Sequence, residues 1–157
     1  MLIRPATPED VPAIIELATE MVLHSVSPFR QVSAEQVKTF RRDDLDTLGD
    51  LLNLEHSGIF VAVEDGNIVG HIIVVAQQRD SSTGTEQAWI YDVSVAAGQW
   101  SRGVGRALMD EAERFALERG MRAIGLGVTV ANRRAVDFYQ RLGYQEERVQ
   151  MVKNLEP

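Results

Sequence analysis

One run of residues in this chain has the types and spacing of an anion-binding turn. It is Val93-Ser94-Val95-Ala96-Ala97-Gly98-Gln99-Trp100-Ser101-Arg102-Gly103-Val104-Gly105-Arg106-Ala107-Leu108, which reads as strand, short loop and glycine-containing helix start. The first N–H groups of a helix have no partner inside it and lie at the positive end of its dipole. Glycines there withhold the Cβ atoms that would keep a phosphate away, and Arg102 and Arg106 add positive charge at the same end. A pyrophosphate cradle is one reading. A tight turn with close helix–sheet packing is the other, and Gly-x-Gly alone leaves both open. Two other phosphate templates fail: Leu108 stands where the dinucleotide pattern G-x-G-x-x-G needs a small residue, and no Gly-Lys-Ser/Thr triplet exists for a P-loop.

Other chemistries are excluded by residue type. The chain has no Cys, so disulfides, thiol nucleophiles and thiolate metal sites are ruled out, and there is no G-x-S-x-G elbow. His24, His56 and His71 are scattered without ligand spacing, so no metal site is expected. Asp43-Asp44 and Glu146-Glu147 read as solvated faces. His71, on an apolar strand, reads as a core histidine, and His24 as an ordinary loop residue.

The elements that position these residues follow from periodicity. A helix starts at Thr7-Pro8-Glu9-Asp10, with Thr7 as cap and Pro8 first, and runs to about Leu23 on Val11, Ile14, Ile15, Ala18, Met21 and Val22. His24 to Val32 is a loop. Ser33-Ala34-Glu35-Gln36 resembles a capping box, and one or two helices follow to about Leu54. Strands are predicted at Ile59 to Glu64 and Ile68 to Ala76, joined by a turn at Asp65-Gly66, and at Ala88 to Val95 after a polar loop from Gln77 to Gln87. The second strand is apolar on both sides, Ile68, Ile72 and Val74 against Val69, Ile73 and Val75, which places it mid-sheet. Helix Gly105 to Arg119 is followed by a strand from Ala123 to Val130. Gly125 and Gly127 on one face of that strand mark a bulge or a close neighbour. Helix Arg133 to Leu142, capped by Asn132, and an extended segment from Tyr144 to Leu155 complete the chain. The order α-α-β-β-β-α-β-α-β predicts an α/β sandwich with helices on both sheet faces.

At 157 residues, 45% apolar and 25% charged, the chain is expected to fold as one soluble domain over 1–157. No apolar stretch approaches the roughly 20 residues of a membrane helix, and Met1-Leu2-Ile3-Arg4-Pro5 lacks the layout of a signal peptide. The expectation is a cytoplasmic protein without a membrane partner. A net charge of −7 disfavours nucleic-acid binding. The balance is uneven, however: residues 100–143 carry eight basic and five acidic side chains, while residues 1–57 carry five and ten. The positive stretch suits a small anionic ligand, or is a helix surface of arginines with carboxylate partners.

A second stretch, Asn132-Arg133-Arg134-Ala135-Val136-Asp137-Phe138-Tyr139-Gln140-Arg141-Leu142-Gly143-Tyr144, lies about 30 residues after the first. Arg-Gly-Val-Gly-Arg-Ala-Leu followed by N-x-x-A-x-x-F-Y-x-x-x-G-Y resembles the GNAT superfamily of acyl-CoA-dependent N-acyltransferases. The resemblance covers roughly residues 2–155, from the Ile3-Arg4-Pro5-Ala6 strand to a closing strand at Met151-Val152-Lys153. It implies an α/β (α+β) fold with a central, mostly antiparallel sheet of six to seven strands, splayed in the middle to admit acyl-CoA. It further implies that Ser101, Arg102, Gly103, Val104, Gly105 and Arg106 receive the pyrophosphate of acetyl-CoA. Val93, Ser94 and Val95 would pair with the pantetheine arm, Asn132 and Ala135 would contact its far side, and Tyr139 would sit near the thioester sulfur as proton or hydrogen-bond donor. Asp92 would collect the proton of an amine acceptor; a solvated or structural Asp is the equal alternative.

The implied activity is acetyl transfer to a primary amine of a small molecule or peptide by direct attack in a ternary complex, without metal. The acceptor is expected between residues 24–32, the start of the second helix and the 77–87 loop, and relatives often form homodimers. Trp100 departs from the pattern, which has Gln or Arg at that place. It leaves room for an idle acyl-CoA-binding module that senses or regulates, whereas Tyr139 and Asn132 favour the enzyme.

Overall fold

In the computed structural model, which describes residues 1–156, five strands form one sheet in the order β1-β2-β3-β4-β5. They are β1 (Leu2–Pro5), β2 (Ser57–Glu64), β3 (Asn67–Arg79), β4 (Glu86–Val95) and β5 (Ile124–Leu126). The first four pair antiparallel, and β5 pairs parallel to β4. Helices α1 (Val11–Met21), α2 (Ala34–Asp44), α3 (Leu48–Leu51), α4 (Val104–Glu118) and α5 (Arg133–Arg141) complete the fold. The predicted order holds as far as α5, with the N-terminal strand β1 ahead of it and, among the described residues, no strand after α5. Among the described residues the sheet has five strands, not six or seven, with helices on both faces as expected.

Each face has its own core. Leu108, Met109, Ala112 and Phe115 of α4 pack on Phe60, Ile72, Val74 and Ile90. Ile14 and Ala18 of α1, with Leu45 and Leu48, pack on Ile59, Val61 and Ile73. Ser33 caps α2 as predicted: its Oγ accepts from the Gln36 N–H, and the Gln36 side chain accepts from the Ser33 N–H. At the entry to α1, Asp10 accepts from the Thr7 N–H at 2.8 Å and holds Arg4 of β1 through two bonds of 2.6 and 2.9 Å.

Bulges overturn the strict alternation read from the sequence. Between β2 and β3, Ala62 faces Gly70 and Val63 faces Ile68, so Val69 is an extra residue. A bulge exchanges the faces beyond it: Val69 joins Ile72 and Val74 on the α4 side, and Ile68 joins Ile73 on the α1 side. Between β3 and β4, Ile73 faces Asp92 while Val74 faces Ile90, which leaves Tyr91 unpaired. β3 and β4 also run past the predicted loop boundary, and the true loop is Asp80 to Thr85.

Two predicted strands are shorter or absent. The one expected from Ala123 to Val130 is regular only over Ile124–Leu126; Gly125 within it packs on the indole of Trp89, and beyond it Thr129 donates to the Ser25 carbonyl. A Cβ on Gly125 would come within 2.8 Å of that ring. No strand forms at Met151-Val152-Lys153. Residues 145–156 are irregular and exposed, tied down by Arg148 on Asp80 and by Asn154 on the Phe29 carbonyl. No described helix is long and apolar enough to cross a membrane.

Candidate active site

The site lies where β4 loses its neighbour. β5 pairs with β4 only at Ala88, Trp89 and Ile90, whereas β3 follows β4 as far as Val95. The far side of β4 from Asp92 to Val95 is therefore an open edge among the described residues. The Ala96 N–H bonds to the Val69 carbonyl in β3. Backbone groups of an antiparallel strand alternate sides, so Val93 and Val95 turn their N–H and C=O groups to the open edge. Ser94, between them, turns its backbone groups to His71 of β3 and offers the edge none.

Past this edge the chain makes a short turn at Ala97–Gln99 and enters α4. Gly103 caps α4 with φ +86°, a left-handed conformation that disfavours any side chain. The first intrahelical bond at this end is Ala107 N–H to Gly103 C=O, so the N–H groups of Val104, Gly105 and Arg106 have no partner within the helix. Gly105 has a different task from the one its spacing suggests: a Cβ there would lie 3.1 Å from the ζ carbon of Phe138, so it lets α5 approach α4. The close packing is thus present beside a helix end with unpaired N–H groups. Val104 is buried in the core. Ser101 is exposed with φ +63°. Arg102 reaches Glu64 at 3.5 Å, and Arg106 is exposed and in no ion pair among the described residues.

Trp100 closes the turn. Its indole N–H donates to the Val95 carbonyl at 2.9 Å, the guanidinium of Arg134 lies 3.3 Å over its ring, and the His24 ring meets it edge-on at 5.3 Å. It spans the end of β4, the start of α5 and the turn after α1. Asn132 caps α5, its Oδ1 accepting from the Ala135 N–H at 3.3 Å, and Ala135 is half-buried beside it. One turn on, Tyr139 stacks between Phe138 and Tyr144. Burial, and then the nearby charge of Asp92, push its phenol up to about 12, with Arg134 opposing. It stays protonated at neutral pH.

The Tyr91 bulge decides where Asp92 points. Strict alternation from Ile90 would aim Asp92 into the α4 core. The extra residue instead sets it opposite Ile73 on the α1 face, diagonal to His71. Asp92 Oδ2 and His71 Nε2 are 2.6 Å apart, and Oδ1 lies 3.7 Å from Arg41 of α2. Burial alone would raise the Asp92 carboxyl; the hydrogen bond from His71 and the charge of Arg41 outweigh it and hold the group below the usual carboxylate range. Asp92 and Tyr139, predicted separately, are thus in electrostatic contact across the open edge.

His71 is the core histidine the sequence predicted, fully buried, and it is also the partner of Asp92. No spacing signal links two residues 21 positions apart; only the hairpin register brings them together. Arg41 and Arg134 were not anticipated either, since charge counting assigns neither to a site. His56 contributes only a backbone carbonyl, to Ala76. A groove of about 690 Å³ between α1 and α2, lined by Ile15, Thr19, Lys38 and Arg42, lies away from this edge.

Residues 20–144 match the acetyltransferase (GNAT) family. The chain is 33% identical over 110 residues to an uncharacterized N-acetyltransferase of Methanocaldococcus jannaschii, covering 67% of this chain and 49% of that protein. It is 38% identical over 89 residues to the streptothricin acetyltransferase of Streptomyces lavendulae, covering 56% and 44%. The chain thus spans about half the length of these curated relatives. Among solved structures, a candidate acetyl transferase from Pyrococcus furiosus superposes with a TM-score of 0.78 at 29% identity, covering 98% of this chain and 99% of that one. An aminoglycoside 6′-N-acetyltransferase from Acinetobacter haemolyticus shares the fold, with a TM-score of 0.73 at 18% identity and coverage of 99% and 100%.

Proposed function

The chain belongs to the acetyltransferase (GNAT) family, and on that premise we propose that it moves an acetyl group from acetyl-CoA to a primary amine of a small molecule or peptide by direct attack in a ternary complex. The observation that carries this reading is the open edge of β4 at Val93 and Val95, which leads to the free N–H groups at the start of α4. An extended amide-containing arm can pair with such an edge as an added strand, and a pyrophosphate suits the helix end. Val95 offers its N–H to this arm or to the thioester carbonyl, because its C=O is already taken by Trp100.

The amine arrives as an ammonium ion and meets Asp92. Asp92 holds it by charge while one proton is lost to water. The neutral nitrogen attacks the thioester carbonyl, a C–N bond forms and the C–S bond breaks. The second nitrogen proton passes through water to the departing thiolate as the amide forms, so coenzyme A leaves as the thiol. Tyr139 serves the leaving sulfur as a hydrogen-bond donor. Full transfer of its proton, from a phenol at about 12 to a thiolate whose acid is near 8.5, would be uphill by roughly 5 kcal/mol. Stabilising the thiolate in place requires no such transfer.

Thiol release from acetyl-CoA in the presence of an amine panel tests the reading, with calorimetry of coenzyme A alongside. Release that depends on the amine is expected. No heat with coenzyme A at about millimolar level, a very weak interaction, overturns it. Tight binding with no release from any amine turns the reading to an acyl-CoA-binding sensor, which the unusual Trp100 contact with Val95 would then explain.

A further inference from the structure

His71 is the one wholly buried titratable side chain at this site, and the reaction as described makes no use of it. Its ring is 0% exposed. Nε2 meets Asp92 Oδ2 at 2.6 Å, and Nδ1 has no partner. A neutral imidazole carries one proton. Placed on Nδ1, it would be a buried donor without an acceptor, and the lone pair of Nε2 would face a carboxylate oxygen. Both faults disappear when the proton sits on Nε2 and is donated to Asp92.

The rest of the surroundings leaves Asp92 a free position. From α2, Arg41 is the nearest cation to Oδ1, but at 3.7 Å it is beyond hydrogen-bond reach, and it also bridges Asp44 at 3.5 Å. From α5 the neighbours are Tyr139 and, beside it, Arg134; from β4, Ser94. α1, which packs on β4, forms no ion pair with Asp92 among the described residues. The Ser94 hydroxyl also hydrogen-bonds the carboxylate, but no charged donor is within hydrogen-bond reach of Oδ1, and the cation nearest it, Arg41, also bridges Asp44.

We propose that His71 is a positioning residue: its Nε2–H fixes Asp92 as an ionised carboxylate whose Oδ1 receives the acceptor amine as an ammonium ion. This rests on the acetyltransferase reading and deepens it. The acceptor class it selects is an amine that is cationic when bound, and the contact is made before the proton is lost. A histidine that merely filled the core would be replaceable by any side chain of similar volume.

The test uses His71→Leu, which keeps bulk without a donor, and His71→Gln, which restores a side-chain N–H. Spermidine is the amine probe. His71→Leu is expected to raise the KM for spermidine about tenfold and to move the acid limb of kcat/KM up by about one pH unit. Its Kd for coenzyme A by calorimetry should stay within about twofold, and His71→Gln should return both parameters to within about threefold of the unaltered protein. An unmoved acid limb in His71→Leu, or a parallel loss of coenzyme A binding, overturns the proposal.

Should His71→Leu fail to fold, ¹⁵N NMR of the unaltered chain decides. An Nε2-protonated neutral ring, with a resonance that shifts on spermidine addition but not in Asp92→Asn, supports the assignment; an Nδ1-protonated ring refutes it. This readout needs no turnover, so a chain that releases no thiol with any amine defeats the acetyltransferase reading while leaving the His71 assignment to be judged by itself.

Discussion

Tyr139 shows how far residue type alone goes. The proposed reaction makes it a donor to the leaving sulfur, and its surroundings decide what kind. With the phenol near 12, donation of a hydrogen bond is favoured over loss of the proton. Tyr139→Phe should therefore lower kcat by roughly 10²–10³-fold, the loss that follows removal of one preorganised donor, while coenzyme A affinity holds. The basic limb of the pH–rate profile should be the same in both proteins below about pH 11, because a group at about 12 stays protonated there. A basic limb that vanishes in the variant would show that Tyr139 titrates in the working range after all. Steady-state kinetics across pH on the purified pair checks both parts.

At the scale of elements, packing and function share residues. Gly105 joins the first turn of α4 to α5, since its missing Cβ admits Phe138. Gly105→Ala is expected to force the ring back, cost about 1–3 kcal/mol in urea unfolding, and shift Asn132 and Tyr139 enough to weaken coenzyme A binding. The start of α1 is held to β1 by Arg4 and Asp10, where the Arg4 bonds lower the Asp10 carboxyl to about 2. Its folded value is below the unfolded one, so the stabilisation is complete above about pH 4 and is lost as pH falls through about 2. The shift from 3.8 sets a ceiling of about 2 kcal/mol, and solvent screening leaves about 1. Asp10→Asn should be less stable by that amount at pH 7, and the difference should shrink toward zero near pH 2. A constant difference over this range would show that the effect is not ionic.

For the molecule as a whole, charge is segregated. A net −7 chain carries its positive stretch over residues 100–143, and Arg102 and Arg106 are exposed near the start of α4. An anionic donor would be drawn to that end. Exposed charges are screened by salt, so the Kd for coenzyme A should weaken several-fold between about 0.05 and 0.5 M NaCl. Arg106→Ala should cost up to about 1 kcal/mol at low salt and almost nothing at high salt. Calorimetry at the two ionic strengths measures both, and a salt-independent Kd would assign the affinity to backbone pairing instead.

What the sequence by itself determined is local. The capping residues Ser33 and Asn132, the helical stripes of α1 and α4, the turn at Asp65-Gly66 and the glycine-led start of α4 are all set by neighbours within a few positions. Backbone hydrogen bonding and side-chain periodicity act over that range, so these were legible. Tertiary structure decided the rest. The bulge at Tyr91 turned Asp92 onto the α1 face, the hairpin register brought it to His71, and the parting of β5 from β4 opened the edge on which the site depends. Each is a register choice between strands, made by whichever pairing buries both cores best, and no local pattern encodes it. No final strand forms: residues 145–156 stay irregular on the surface, held by Arg148 on Asp80 and Asn154 on the Phe29 carbonyl.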